Sequence, residues 1–157
     1  MDAMRSHRSQ AGLLIVAVVA ASFLGGCSGA GASATPAGPT SVDVTLQEWA
    51  IAPSTTTLQA GKVTFNAKNM GPTDEHEMVV IRSDLPLLGL PTGSDGKVDE
   101  EGAGLTALGE VAELAVGASG SVTVDLAAGR YLLICNIVDA DGDAHYGKGM
   151  ASELTVR

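Results

Sequence analysis

Thiol and imidazole groups are scarce in this sequence, which has two cysteines and three histidines among 157 residues. The cysteines are Cys27 and Cys135, so no more than one intramolecular disulfide can form. The histidines are His7, His76 and His145. Sites that need two cysteines in one loop, or more than three imidazoles, are therefore excluded.

Basic residues are also few, because nine Lys and Arg stand against 18 Asp and Glu, for a formal net charge of −9. A protein of this charge does not attract nucleic acid, and an anionic membrane surface repels it. We therefore expect no nucleic-acid partner, whereas a cationic partner suits the charge.

The N-terminus has the layout of an export signal. The basic residues Arg5 and Arg8 precede an apolar run, 11–24, that Gly25 ends. A membrane-spanning helix needs roughly 20 apolar residues, and this run is shorter. Residues 1–26 are therefore predicted to be a signal peptide that is removed on export.

Cys27 follows this segment directly. The tetrad LGGC resembles the lipobox of bacterial lipoproteins, which implies that Cys27 is lipidated and anchors the protein to the outer face of the cytoplasmic membrane. Residues 28–40 are uncharged and rich in Gly, Ala and Ser, so 27–40 is predicted to be a lipidated cysteine with a flexible tether. Cys135 then has no disulfide partner. An unpaired thiol in an oxidising compartment suggests a role, although a buried, inert cysteine is the alternative.

Residues 41–157 are predicted to form one all-β domain. Short segments with alternating or β-branched residues are separated by Gly and Pro, and the sequence shows neither an internal repeat nor a helical apolar stripe. The predicted strands lie at 42–46, 55–58, 63–69, 76–82, 111–116, 121–126, 131–137 and 152–156. The periodicity fails from 84 to 109, which predicts one long irregular excursion. Seven to eight such strands favour a Greek-key β-sandwich.

The last part of this domain carries three residues that bind soft metals. Cys135 lies near the end of a predicted strand, His145 follows ten positions later, and Met150 follows five positions after that. One further imidazole completes the ligand set of a blue-copper centre. His76 is the candidate, because His7 is removed with the signal peptide.

Several segments resemble a known family. Residues 41–157 resemble the cupredoxins, the blue-copper fold of plastocyanin and azurin, and in particular exported actinobacterial copper-binding lipoproteins with segments like AGKVTF, HEMVVI, GRYLLICN and HYGKGM. The resemblance implies that His76, Cys135, His145 and Met150 bind one copper ion that cycles between Cu(I) and Cu(II). It also implies an electron carrier rather than an enzyme, and no histidines remain for a second, catalytic copper.

The loop between Cys135 and His145 departs from the family pattern. It encloses nine residues, whereas close relatives have about four, and the added stretch is 138–144. The extra loop-closure entropy is only roughly 0.7 kcal/mol, so we expect the metal to bind with an altered affinity and reduction potential. Asp139, Asp141 and Asp143 lack the Gly and Glu positions of an EF-hand calcium loop, which favours a solvated loop tip.

Residues near these ligands lead to further expectations. Glu77 occupies the position at which plastocyanin and azurin have an asparagine that ties the ligand loops together, so this tie is in doubt. Carboxylates beside His76 are expected to raise its basicity if they are near. Trp49 is expected to pack in the core or at an edge, Met78 in the core, and Tyr146 at the rim where a partner docks.

Two functions remain open for the site. The first is a one-electron carrier that passes electrons through an exposed edge of His145 to a redox partner that the sequence does not identify. The second is copper sequestration or delivery without electron transfer. A metal-free interaction module is a third possibility, which the nearly complete ligand set disfavours. We expect a monomer in each case.

Overall fold

The computed structural model describes residues 39–157. The predicted signal peptide, Cys27 and most of the predicted tether lie outside the described residues. Within 39–157 there are nine strands and no helix, and hence no helix that could cross a membrane. The strands are β1 (Thr40–Gln47), β2 (Ala50–Pro53), β3 (Thr57–Leu58), β4 (Gly61–Asn69), β5 (His76–Arg82), β6 (Thr106–Leu114), β7 (Ser119–Leu126), β8 (Gly129–Ile134) and β9 (Ala151–Val156).

The strands form two mixed sheets that enclose one hydrophobic core. One sheet has the order β2-β1-β4-β7 and the other has the order β3-β9-β8-β5-β6. Side chains from both sheets, among them Val44, Phe65, Met78 and Leu133, are buried in a single cluster. The expected β-sandwich is therefore confirmed, and Met78 packs in its core as expected.

A short edge strand brings the strand count to nine, above the expected seven to eight. Nothing in the sequence indicates β2, because Pro53 at its end usually interrupts a strand. β2 pairs antiparallel with β1, with Val44 opposite Pro53, and it lies at the edge of its sheet. An edge strand tolerates proline because one of its sides needs no hydrogen-bond donors.

β5 and β8 are covered on both faces, which explains their unbroken apolar runs. Val79 and Ile134 are buried in a second cluster, apart from the main core. Leu90, from the irregular segment between β5 and β6, helps to close this second cluster. The predicted excursion therefore covers the outer face of the sheet, and it ends earlier than expected because β6 begins at Thr106.

Tyr146, in the loop between β8 and β9, contacts the irregular segment that covers this face of the sheet. Its side chain is 5% exposed. The hydroxyl donates a hydrogen bond to the carbonyl of Leu87 at 2.9 Å and accepts one from the N–H of Leu90 at 3.0 Å. The expectation that Tyr146 lies at an exposed rim is therefore wrong, because the excursion folds over it.

Three strand ends lie side by side at one end of the sandwich. β5 begins at His76, and β8 ends one residue before Cys135. The two strands are antiparallel neighbours, with Val79 opposite Ile134. β9 pairs with β8 and begins one residue after Met150. The register thus places residues from distant parts of the sequence at the same end.

Candidate metal centre

Two imidazoles and a thiol converge at this end of the sandwich. Nδ1 of His145 lies 3.3 Å from Nδ1 of His76 and 3.4 Å from Sγ of Cys135. All three side chains are fully buried. Atoms that bind one ion at bond lengths of about 2.0–2.3 Å are separated by roughly 3.3–3.8 Å, so the cluster has the dimensions of a metal site.

Met150, the fourth predicted residue, lies beside this cluster. Its N–H donates a hydrogen bond to the carbonyl of His145, and its carbonyl accepts one from the N–H of Cys135, each at 3.1 Å. The side chain is fully buried in the same core cluster as Cys135. The backbone of Met150 therefore joins the two ends of the loop that carries the thiol and the second imidazole.

The protonation state of the Cys135 thiol suits a metal ligand that keeps its proton until a metal ion binds. Burial raises the pKa of the Cys135 thiol to about 11, although the N–H of Glu77, 3.5 Å from Sγ, favours the thiolate. Without a metal the sulfur therefore keeps its proton at neutral pH. A metal ion replaces this proton and compensates the buried negative charge.

Both histidines are neutral at pH 7 in this environment. Burial lowers the pKa of His76, and the nearby His145 lowers it further. Burial also lowers the pKa of His145, although the carboxylate of Asp139 opposes the shift. The expected increase in basicity of His76 is therefore not found, because burial outweighs the attraction of the carboxylates. Neutral imidazoles are the form that binds metals.

Glu48 is an outer partner of His76 that the sequence analysis missed. Its Oε2 lies 3.8 Å from Nε2 of His76, and neither atom has a hydrogen-bond partner among the described residues. The other oxygen, Oε1, accepts hydrogen bonds from the N–H groups of Thr73 at 2.8 Å and Asp74 at 2.7 Å. Burial opposes ionisation, but these bonds hold the pKa of Glu48 below its usual value. A carboxylate thus faces the ring nitrogen of His76 that points away from the cluster.

The edge of His145 is not exposed, in contrast to the expectation. Its Nε2 lies 4.0 Å from Oδ2 of Asp139. The ring of Trp49 meets the His145 ring edge to face, with 4.9 Å between the ring centroids. The ammonium of Lys148 lies 5.8 Å from the centre of the Trp49 ring. Trp49 and the lengthened loop therefore cover the imidazole.

Glu77 ties the two ligand segments together. Its Oε1 accepts a hydrogen bond from the N–H of Asn136 at 3.0 Å, and its own N–H points to Sγ of Cys135. Asn136 in turn binds Val98 through both atoms of its amide, at 2.6 and 3.0 Å. The hydrogen-bonded link between the two ligand segments, which the sequence left in doubt, is therefore present, and a glutamate oxygen is its acceptor.

The lengthened loop folds back on itself. Val138 pairs with Ala144 in an isolated β-bridge. Oδ1 of Asp139 accepts hydrogen bonds from the N–H groups of Asp141 and Asp143, each at 2.9 Å. Asp141 and Asp143 are exposed, as expected of a solvated tip, but Asp139 is partly buried and faces His145. The loop therefore contributes a carboxylate to the surroundings of the cluster.

No protein-family model and no curated protein matches this chain. Solved structures match its fold. Auracyanin A, a "blue" copper protein from the green thermophilic photosynthetic bacterium Chloroflexus aurantiacus, matches with a TM-score of 0.53 at 20% identity, over 76% of this chain and 100% of its own.

Two further auracyanins match to a similar extent. The dithionite-reduced auracyanin of Roseiflexus castenholzii has a TM-score of 0.52 at 18% identity, over 77% of this chain and 99% of its own. Auracyanin B has a TM-score of 0.51 at 24% identity, over 78% of this chain and 93% of its own. At these identities the likeness shows the fold, and the described residues adopt the cupredoxin fold.

Proposed function

We propose that this protein, a chain with the cupredoxin fold, is a type 1 copper protein that carries one electron at a time and is not an enzyme. The observation that carries the proposal is the buried cluster of His76 Nδ1, His145 Nδ1 and Cys135 Sγ. Two imidazoles, a thiolate and a weak thioether are the donors of blue-copper sites, where copper cycles between two oxidation states. In this assignment Met150 supplies the thioether.

The chain holds these donors in fixed positions. His76 begins β5, and the N–H of Cys135 is bound to Met150, one residue before β9. Glu77 links β5 to the residue after the thiol. Because strands and hydrogen bonds fix the donor atoms, a change of charge at the metal moves them little, which suits rapid electron exchange.

Trp49 provides a contact between the buried centre and the surface. The indole is partly exposed and packs on the ring of His145, which is itself fully buried. An electron that leaves through His145 therefore reaches a redox partner through the residues that cover the ring. Trp49 therefore has the role in electron transfer that was expected of an exposed edge of His145.

Export and lipid anchoring are part of the same proposal. The basic N-terminus, the apolar run and the LGGC tetrad support removal of residues 1–26 and lipidation of Cys27. Mass spectrometry of the protein from its native membrane tests this point. The expected N-terminus is a diacylglyceryl-modified Cys27, and a soluble species that retains residues 1–26 contradicts it.

Optical and electron-spin-resonance spectra of the copper-loaded protein test the copper assignment. Intense visible absorption from a copper–thiolate bond and a narrow copper hyperfine splitting are expected. The change Cys135→Ser removes both signals, whereas Met70→Leu, at a methionine that is 54% exposed, leaves them unchanged. A colourless wild-type complex contradicts the proposal.

Copper sequestration or delivery is the second candidate. The full burial of the His76, Cys135 and His145 side chains favours it, because a covered site releases and exchanges electrons less readily than an open one. A reversible reduction potential measured by voltammetry supports the carrier. Tight Cu(I) binding without reversible oxidation, with metal transfer to a competing chelator, supports delivery instead.

A further inference from the structure

A cleft with an excess of negative charge adjoins the buried cluster. It has a volume of about 380 Å³, and four carboxylates lie in its wall, those of Asp74, Glu75, Glu113 and Asp139. No lysine or arginine of residues 39–157 lines this cleft. The surrounding potential therefore favours a cation.

His145 lies in the wall of this cleft, and its second nitrogen is on the side of Asp139. Nδ1 belongs to the buried cluster, whereas Nε2 lies 4.0 Å from Oδ2 of Asp139. This distance is too long for a hydrogen bond. Nε2 is buried and lacks any hydrogen-bond partner in the described part of the chain. Since a buried polar atom without a partner is unfavourable, its position indicates a ligand.

Two carboxylates lie close to the ring of His145. Oδ1 of Asp139 is held by two backbone N–H groups of its own loop, which leaves Oδ2 directed at His145. The backbone of Asp74 is held by the hydrogen bond that its N–H donates to Glu48 at 2.7 Å. One ligand atom from each of Asp74, Asp139 and His145 lies within 4.8 Å of the other two.

We propose that Asp74, Asp139 and Nε2 of His145 form a second metal site, which binds a divalent transition cation such as zinc. One imidazole nitrogen and two carboxylate oxygens are ligands that zinc accepts, at bond lengths of about 2.0–2.2 Å. The three atoms must approach one another by roughly 1 Å to reach this geometry, a movement within the range of side-chain rotation. A water molecule completes the tetrahedron.

The two sites share one imidazole. His145 offers Nδ1 to the buried cluster and Nε2 to the cleft, and when both nitrogens bind a metal the ring proton is released to solvent. The positive charge of zinc at Nε2 disfavours the more highly charged Cu(II) at Nδ1 and hence raises the reduction potential of the copper. Zinc binding itself does not rest on the proposed electron-carrier function.

Zinc binding to the copper-loaded protein tests the inference. The full mature protein is dialysed against Zn²⁺, and both metals are counted by mass spectrometry. One zinc and one copper are expected for each wild-type chain. Asp139→Asn and Asp74→Asn are each expected to lower the zinc affinity by more than about tenfold while copper is retained. Asparagine keeps the oxygen that accepts the local hydrogen bonds, so the loops remain folded.

Asp141→Asn is the matched control, since Asp141 is exposed in the same loop, and this variant should bind zinc as the wild type does.

A wild-type protein that keeps its copper but binds no zinc overturns the second site and leaves the proposed function in place. The cleft then fits a cationic group of a partner protein. Zinc that replaces copper, or equal zinc affinity in all variants, also overturns it. If no copper binds, the proposed function fails. The zinc titrations are then made with the Cys135→Ser variant. Weaker zinc binding when Asp139→Asn is added to this variant still supports the second site.

Discussion

Glu77 and Asn136 are joined by a hydrogen bond of 3.0 Å between the glutamate carboxylate and the backbone N–H of Asn136. This bond spans the gap between the start of β5 and the residue after the thiol. Burial raises the pKa of Glu77, although the bond itself opposes the shift. Glu77 is thus a partly buried acceptor that fixes the distance between His76 and Cys135.

The change Glu77→Ala is expected to destabilise the metal-free protein by about 1–3 kcal/mol, because it leaves the buried N–H of Asn136 without an acceptor. Glu77→Gln keeps an acceptor oxygen and removes a poorly solvated charge, so it should cost less. Urea denaturation of the metal-free protein measures both changes. Equal destabilisation by the two substitutions contradicts the role of the hydrogen bond.

Copper affinity is expected to rise with pH. The Cys135 thiol, with a pKa of about 11, is protonated at neutral pH in the metal-free protein and must lose its proton when the metal binds. The apparent affinity should therefore increase about tenfold for each pH unit from 7 towards 10 and level off above about 11. The histidines add nothing in this range, because burial lowers the pKa of each and both are already neutral.

Competition with a chelator of known pH behaviour measures this dependence. Cys135→Ser removes the thiol and its proton. This variant is expected to lose most of the pH dependence of the copper affinity and most of the affinity itself. A wild-type affinity that does not change between pH 7 and 9 contradicts a protonated thiol in the metal-free state.

The change Glu48→Gln is expected to raise the reduction potential of the bound copper. The carboxylate lies 3.8 Å from Nε2 of His76, and its negative charge stabilises Cu(II) more than Cu(I). Removal of this charge should shift the potential upwards by an amount on the order of tens of millivolts. Voltammetry measures the shift, and Glu75→Gln, at an exposed neighbouring carboxylate, is the control with a smaller effect. A potential that is lowered or unchanged by Glu48→Gln contradicts the contact.

The fluorescence of Trp49 is expected to fall when copper binds. Trp49 is the only tryptophan of the chain, and its ring lies 4.9 Å from that of His145, so a paramagnetic metal at the cluster quenches its emission. A fluorescence titration should therefore end at one copper per chain. Cys135→Ser should show little quenching at the same copper concentration, and unquenched emission in the wild type excludes a metal next to His145.

The convergence of the predicted ligands could be anticipated because each lies at a boundary that the sequence marks. His76 opens the apolar run of β5, Cys135 closes that of β8, and Met150 precedes β9. Antiparallel pairing then brings these ends together. The alternation of apolar residues and the Gly and Pro turns predicted the sandwich for the same reason.

The surroundings of the cluster could not be predicted, because they depend on how turns are folded. Glu48 reaches His76 from the turn between β1 and β2, and no periodicity indicates this contact. Asp139 turns inward because its loop forms a hairpin, whereas its composition indicated a solvated tip. Tyr146 was misjudged because nothing local indicates that the excursion packs over it.

β1 runs the length of its sheet, from Thr40 at one end to Gln47, next to Glu48 and the metal ligands, at the other. Eight residues of strand measure about 25 Å, so the chain enters the domain about that far from the ligands. A partner that binds at the ligand end of the domain therefore approaches from the side opposite to the point at which the chain enters it.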